Sequence, residues 1–417
     1  MTALHYFAPC PRGLEQALAD ELLGIGARIE ASVGGGVAFS GDHATGYSAN
    51  LHSRIASRVL LKVAEGRYRD DDDLYRLANR CEWERWFDVR RTLRVDVSAM
   101  RSPLRSLNFA TLRIKDGAVD RFRTRTGARP SIDTEQPDVR IFGFLDERNA
   151  VLYLDLSGEP LFKRGWRSER DDKGEAPLKE NLAAGLLALA QWDPQQPLYD
   201  PFCGSGTIVI EAAQRALGIA PGLSRRFGFE NLLDFDAPLW AKLHADAVRS
   251  VQSAGGAAAR ALRVAASDID ARSLEQVERN ALRAGLPPGA IRCSRCDVLQ
   301  ARPPFDAPGV IVTNPPYGER LELHAPARRS VGPAGTVAVG SGLEAWMGVG
   351  RALKDHFGGW RLWMLTSDLD LPRHLNMKAR RRTPLYNGAI ECRLFGFEIF
   401  GPVESGSPAA PAPGAPG

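Results

Sequence analysis

From residue 177 onward the chain repeats one pattern: a short apolar run, a turn rich in glycine or acid, then an apolar-faced helix. "PLKENLAAGLLALAQW" is a helix. "PLYDPFCGSGTIVIEAAQRAL" is strand, glycine turn and helix. "LRVAASDID" is a strand ending in acids, and "ARSLEQVERNALRAGL" is a helix closed by Gly285. "AIRCSRCDV" and "GVIVTNPPYGE" are further strands. "GLEAWMGVGRALKDHFG" is a helix, "WRLWMLTSD" a strand and "NGAIECRLFGFEIF" a terminal β-rich pair. Strands separated by helices lie parallel, joined by crossovers that cover both faces of one sheet. The pattern predicts a doubly wound α/β domain over residues 177–400.

The front of the chain reads differently. "PRGLEQALADELLGIG" sets Leu14, Leu18 and Leu22 at helical spacing, and "GGGVAFSGD" is a short strand between turns. "NLHSRIASRVLLKVAEG" is a helix running into a strand. "TLRVDVSA" is a strand, "NFATLRIKDGAVDRFRTRTG" a helix, and "DVRIFGFLDERNAVLYLDLSG" a hairpin turning at Asp146 to Asn149. These make one or two small α+β units. The polar stretch "LFKRGWRSERDDKGEAP" reads as a linker. The last 17 residues have one charge and no aromatic, so they cannot bury enough surface to fold.

Charge narrows the partners. The formal net charge is only +4, yet residues 90–130 hold eleven Arg or Lys against three Asp. A basic block in a weakly charged chain points to a polyanion surface, and to an RNA contact through Arg113, Lys115, Arg121, Arg123 and Arg125. The six cysteines are scattered, no signal peptide opens the chain, and no apolar run approaches a membrane span. A reduced cytoplasmic protein is expected. "CSRC" at 293–296 is half a metal site without a second ligand pair, so no metal is expected.

In such a sheet ligands bind beyond the carboxyl ends of the strands, where strand order reverses. Four ends carry the chemistry. In "DPFCGSGT", Asp200-Pro201 leads into Cys203, Gly204 and Gly206, where glycine lets a backbone approach a ligand. No third glycine follows as in a dinucleotide fingerprint. Asp200 would repel a pyrophosphate and attract an ammonium group. Asp268 in "SDID" can accept both hydroxyls of a ribose, while Asp270 fits a helix N-cap equally well. Asp297 can accept from an adenine amino group. An amine, a ribose and an adenine together describe S-adenosylmethionine. The fourth end, Asn314-Pro315-Pro316-Tyr317, is stiffened by two prolines. It fixes two acceptors, the Asn314 side-chain oxygen and the Pro315 carbonyl. Held at a set angle, they bind both hydrogens of an exocyclic amine and turn its lone pair toward a methyl sulfonium. Tyr317 offers a face on which a flipped base can stack.

With these residues in place, the chain resembles the N-terminal half of the RlmL (YcbY-type) bacterial ribosomal RNA methyltransferases, within the THUMP-domain methyltransferase group. The resemblance covers about residues 5 to 400. It rests on "PRGLEQALADEL", "SRIASRVLL", "KDGAVDRFR", "LDLSGEPLFKRGWR", "APLKENLAA", "DPFCGSGTIVIEAA", "SDIDAR" and "TNPPYGERL". It implies a ferredoxin-like unit over 1–60, a THUMP RNA-binding domain over 61–160, a linker over 161–176, a seven-stranded class I (Rossmann-like) methyltransferase domain over 177–400 and a disordered tail over 401–417. It implies methylation of a guanine N2 in 23S ribosomal RNA, naked or within an assembly intermediate. It also places Lys179 near the methionine carboxylate of the cofactor. Some relatives carry a second methyltransferase domain; this chain stops before it, so that second activity is expected to be absent. "HAPARRSVGPAGTVAVG" reads as an added loop over 324–340.

Three other readings use the same residues. A related enzyme methylating a transfer RNA guanine would share the catalytic corner. A DNA adenine-amino methyltransferase would too, but the basic THUMP-like front argues against it. A non-catalytic RNA-binding protein would leave the set of strand ends unexplained.

Overall fold

The computed structural model describes residues 3–167, 178–316, 342–388 and 390–401. Most of the expected linker, the whole 324–340 loop, Tyr317 and nearly all of the tail lie outside the described residues.

The front half contains β1 (Leu4–Pro9), α1 (Glu15–Gly24), β2 (Arg28–Val33), β3 (Gly36–Gly41), α2 (His43–His52) and β4 (Leu60–Arg67). It continues with α3 (Asp71–Arg80), β5 (Leu93–Ala99), α4 (Leu107–Thr126), β6 (Val139–Leu145) and β7 (Asn149–Asp155). All seven strands form one sheet in the order β2-β3-β1-β4-β7-β6-β5. The join is β4, which pairs with β1 at Leu60 and Leu61 and with β7 along its length. The two expected front units thus share a continuous hydrogen-bonded sheet. Helix α1 forms because Leu18 and Leu22, one turn apart, are fully buried with Leu14 just before them. Helix α4 starts under the Ser106 cap and stops at Gly127, whose φ of +75° suits the left-handed end.

The rear half runs α5 (Glu180–Leu189), β8 (Leu198–Asp200), α6 (Thr207–Ala216), α7 (Ala237–Ala261), β9 (Val264–Asp268) and α8 (Ala271–Arg283). Then come β10 (Arg292–Arg295), β11 (Val310–Thr313), α9 (Gly342–His356), β12 (Arg361–Thr366), α10 (Leu371–His374), β13 (Arg381–Asn387) and β14 (Ile390–Glu398). The sheet order is β10-β9-β8-β11-β12-β14-β13. The pairs from β10 through β12 are parallel, and β14 inserts antiparallel between β12 and β13. Order reverses between β8 and β11, which makes that gap the switch point.

The doubly wound sheet is therefore present, with elements that the pattern did not announce. The terminal pair is β13 with β14. β13, "RRTPLYN", is polar and carries Pro384, which is tolerated because it is an edge strand. Helices α3 and α7 also lacked an announced signal.

The halves are joined by buried charge. Glu211 on α6 is fully buried. Its Oε1 meets Arg164 Nε at 3.1 Å and its Oε2 meets Arg54 Nη1 at 3.2 Å. Arg164 also donates to the Arg54 carbonyl at 2.7 Å. Removing one partner of a buried pair leaves uncompensated charge, at a cost of about 3–5 kcal/mol. Glu211→Ala is expected to lower unfolding free energy by about that much, and Glu211→Gln by less, read by urea denaturation.

Candidate active site

Asp200 closes β8 and is almost fully buried. Its Oδ1 accepts from Thr313 Oγ1 at 2.6 Å and from the Phe202 amide at 3.1 Å. Thr313 is the last residue of β11, directly before Asn314. One hydrogen bond therefore spans the switch point and ties the entrance of the glycine turn to the entrance of the proline corner. Burial drives the Asp200 carboxyl up to about 7, opposed by the Thr313 and Phe202 donors and reinforced by Asp268.

The glycine turn is held from two sides. Gly204 has φ +50° and Gly206 has φ +85°, both left-handed, so glycine is needed there. Among the described residues, no atom beyond its chain neighbours lies within 4 Å of where a Gly204 Cβ would stand, so the turn borders open space there. The Gly204 amide donates to Asp268 Oδ2 at 3.0 Å, and the Cys203 amide to the Ser267 carbonyl at 3.1 Å. From behind, Asn280 on α8 donates to the Ser205 carbonyl at 3.1 Å. Pro201 and Cys203 are buried, and burial pushes the Cys203 thiol far up, which makes it a packing group and not a nucleophile.

The three acids take distinct places. Asp268, at the end of β9, is half-buried beside the glycine turn. Asp270 caps α8, accepting from the Arg272 amide at 3.0 Å. Asp297 follows β10, where its Oδ1 accepts from the Leu299 amide at 3.0 Å. Asn314 and Pro316 are half-buried and Pro315 is buried. The corner is therefore partly open to solvent. Lys179 stands just before α5, exposed, with Nζ 4.8 Å from the centre of the Phe162 ring.

Sequence reading missed Thr313, Asn280 and Arg167. Arg167 bonds the Leu178 carbonyl at 2.7 Å and Thr207 Oγ1 at 2.5 Å, and pairs with Glu180 at 3.1 Å. It thereby clamps the first residue of α6 to the segment before α5. The only available signal was a polar residue at a buried position: Thr313 ends the apolar run "VIVT", and Asn280 lies on the inner face of α8.

The five cations nominated for RNA all meet acids. Arg121 makes a forked contact with Glu84, its Nε at 3.1 Å from both oxygens, and Arg125 reaches Glu84 at 3.3 Å. Arg113 pairs with Asp72, Lys115 with Asp116 at 2.8 Å, and Arg123 with Asp120 at 3.7 Å. Arg121 is only 17% exposed, whereas Arg123 and Arg125 are 59% exposed. Helix α3, with Asp71, Asp72 and Asp73 in its first turn, packs along α4 and supplies part of this neutralising charge.

Sheet order and strand-end site together define the class: a methyltransferase-type α/β domain behind an α+β front half. Comparison with known proteins agrees. Residues 5–60 match the RlmL ferredoxin-like domain, 68–155 the THUMP domain and 167–329 the RMKL-like methyltransferase domain. The chain is 40% identical over 418 residues to the ribosomal RNA large subunit methyltransferase K/L of Syntrophotalea carbinolica, covering 98% of this chain and 56% of that protein. The protein of the same name from Aeromonas salmonicida is 38% identical, covering 94% and 54%. The chain thus spans about half the length of these relatives. Among solved structures, a possible methylase from Clostridium difficile 630 aligns with TM-score 0.81 at 29% identity, covering 96% of this chain and 99% of that one. SMU.472, a putative methyltransferase solved with SAH, aligns with TM-score 0.79 at 26% identity, covering 96% and 99%. The chain belongs to the RlmL-like THUMP methyltransferases.

Proposed function

We propose that the protein transfers a methyl group from S-adenosylmethionine to the exocyclic N2 of a guanine in 23S ribosomal RNA, naked or in an assembly intermediate. The observation that carries this reading is the Thr313–Asp200 hydrogen bond, which joins the glycine turn to the proline corner at the switch point. The relatives' name supports the ribosomal RNA substrate, and the neighbour solved with SAH supports the cofactor. No helix among the described residues is long and apolar enough to cross a membrane, and no described cluster of His, Cys, Asp or Glu could hold a metal.

S-adenosylmethionine supplies a methyl already activated by a sulfonium centre. The residues present fit it. Gly204 borders open space, and Asp200 Oδ2 carries no hydrogen bond among the described residues, so it is available to an ammonium group. Pro201, Cys203 and Gly206 shape the turn, Asp268 serves ribose hydroxyls and Asp297 an adenine amine. Lys179 lies on the approach to the carboxylate. Asn314 and the Pro315 carbonyl accept the two hydrogens of the guanine amine, Pro316 stiffens the bend and Tyr317 stacks the base. The amine loses a proton after transfer, so alignment supplies most of the acceleration; near-attack positioning alone is worth roughly 7–11 kcal/mol.

The deciding experiment incubates the protein and labelled S-adenosylmethionine with total RNA from a strain lacking it, then maps the modified nucleotide. A label in transfer RNA, or none in any RNA, would replace this reading. Asn314→Ala should lower kcat by about two orders of magnitude or more while S-adenosylmethionine affinity stays within about twofold, since alignment and cofactor binding are separate. Equal losses in both would remove Asn314 from the amine.

Asp200 gives a pH test. Its carboxyl titrates near 7 in the free protein, and only the ionised form attracts an ammonium. Cofactor affinity should be full above that value and fall about tenfold per pH unit below it. Asp200→Asn should flatten the profile, as read by calorimetry.

The α4 cations divide by exposure. Exposed ion pairs are worth at most about 1 kcal/mol and can be exchanged for phosphate contacts. Replacing Arg123 and Arg125 by Gln should lower the slope of log K against log salt for RNA by roughly one to two units. Arg121→Gln should instead lower thermal stability and leave the slope unchanged, because Glu84 holds Arg121.

A further inference from the structure

Arg393 lies at the strand-end face of the rear sheet, two strands from the proline corner. In the sheet register Thr313 is level with Met364, and Met364 with Phe395. Two residues further along β12, Thr366 is level with Arg393, and Arg393 with Pro384 of β13. Carried two residues on in β11, the same register reaches Pro315. Neighbouring strands are about 4.8 Å apart, so the Arg393 backbone stands on the order of 10 Å across the sheet from the corner. Paired residues point to one face, which here carries Thr313, Met364, Phe395, Arg382 and Arg393.

Arg393 is half-buried, and its Nε is buried with no hydrogen-bond partner. Among the described residues no carboxylate lies within ion-pair distance of its guanidinium. Arg164 and Arg54 are paired with carboxylate, and Arg225, whose Nε is likewise buried without a partner, has its Nη atoms bonded to backbone carbonyls. A buried donor left unsatisfied is costly and persists where a ligand or a strained device explains it. A second cation shares this face: Arg382 is exposed, has no acid partner among the described residues and lies 5.9 Å over the Phe395 ring. The acids on this side are Asp368, held by His374 at 2.7 Å, and the exposed Asp370 and Glu391.

We propose that Arg393, with Arg382 on the same face of the neighbouring strand, holds a phosphate of the RNA strand beside the base being modified. This rests on the methyl-transfer reading above and names the groups that position its substrate. A guanidinium fork matches two phosphate oxygens through its outer nitrogens. The strand is then fixed on one side of the corner, so that an extruded base faces Asn314. Arg393 is a positioning residue; it touches the substrate backbone and not the reacting nitrogen.

The test uses the full chain and a fluorescein-labelled single-stranded RNA, with binding read by anisotropy across a KCl series. Arg393→Ala should weaken binding about tenfold and lower the slope of log K against log salt by about 0.7, the value for one phosphate on a single strand. Arg393→Lys should recover most of the slope but only part of the affinity, because it keeps the charge and loses the fork. Replacing Arg382 by Gln should lower the slope by about 0.7 with an unchanged melting temperature. Unchanged affinity and slope in Arg393→Ala would overturn the proposal. So would equal weakening by Arg393→Ala and Arg393→Lys alongside an Arg382→Gln variant that binds like the parent, since Arg393 would then only pack the strand end. Mapping of the methylated nucleotide on the parent protein is a separate readout. A chain that holds RNA through Arg393 and methylates another base keeps this site and loses the guanine reading.

Discussion

The structure turns on a carboxylate buried where strand order reverses. Asp200 sits at the end of β8 with two donors on one oxygen, one from the turn that follows it and one from the neighbouring strand. Burying a carboxylate is unfavourable unless donors replace the lost water, and here they come from the two segments that must act together. The glycine turn and the proline corner belong to separate strand-to-loop connections more than a hundred residues apart. The Thr313 hydroxyl makes them one site. Asp268 adds a second tie by accepting the Gly204 amide, so three strand ends are locked to each other.

Helix α6 carries that order outward. It begins at Gly206, on the ligand side, and one turn later presents Glu211 to Arg54 and Arg164. The front half is thus referenced to the same helix that opens at the glycine turn. Leu14 of the front half packs against Gly185 of α5, where a larger residue would collide with it. One hydrophobic cluster runs through both halves, and a second lies within the rear half. Buried charge with close packing fixes the separation of the two halves.

Electrostatics shows where sequence reading reaches its limit. The basic stretch around α4 stands out along the chain because only part of its neutralising charge, Asp116 and Asp120, is local. Folding brings Asp72 of α3 and Glu84, tens of residues away, alongside it. The reverse holds for Arg382 and Arg393: they drew no notice in a polar segment with a proline, yet the antiparallel pairing of β13 and β14 sets them on one face.

The alternation of apolar runs and helices determined the parallel sheet, because side-chain periodicity is local and crossover handedness follows from chain chirality. The residues at the strand ends were equally legible, since glycine and proline act on their own backbone. Hydrogen bonds between distant strand ends, the continuity of the front sheet through β4 and the pairing of each cation were decided only by tertiary structure. Those depend on which segments become neighbours, and no local property of the chain encodes that.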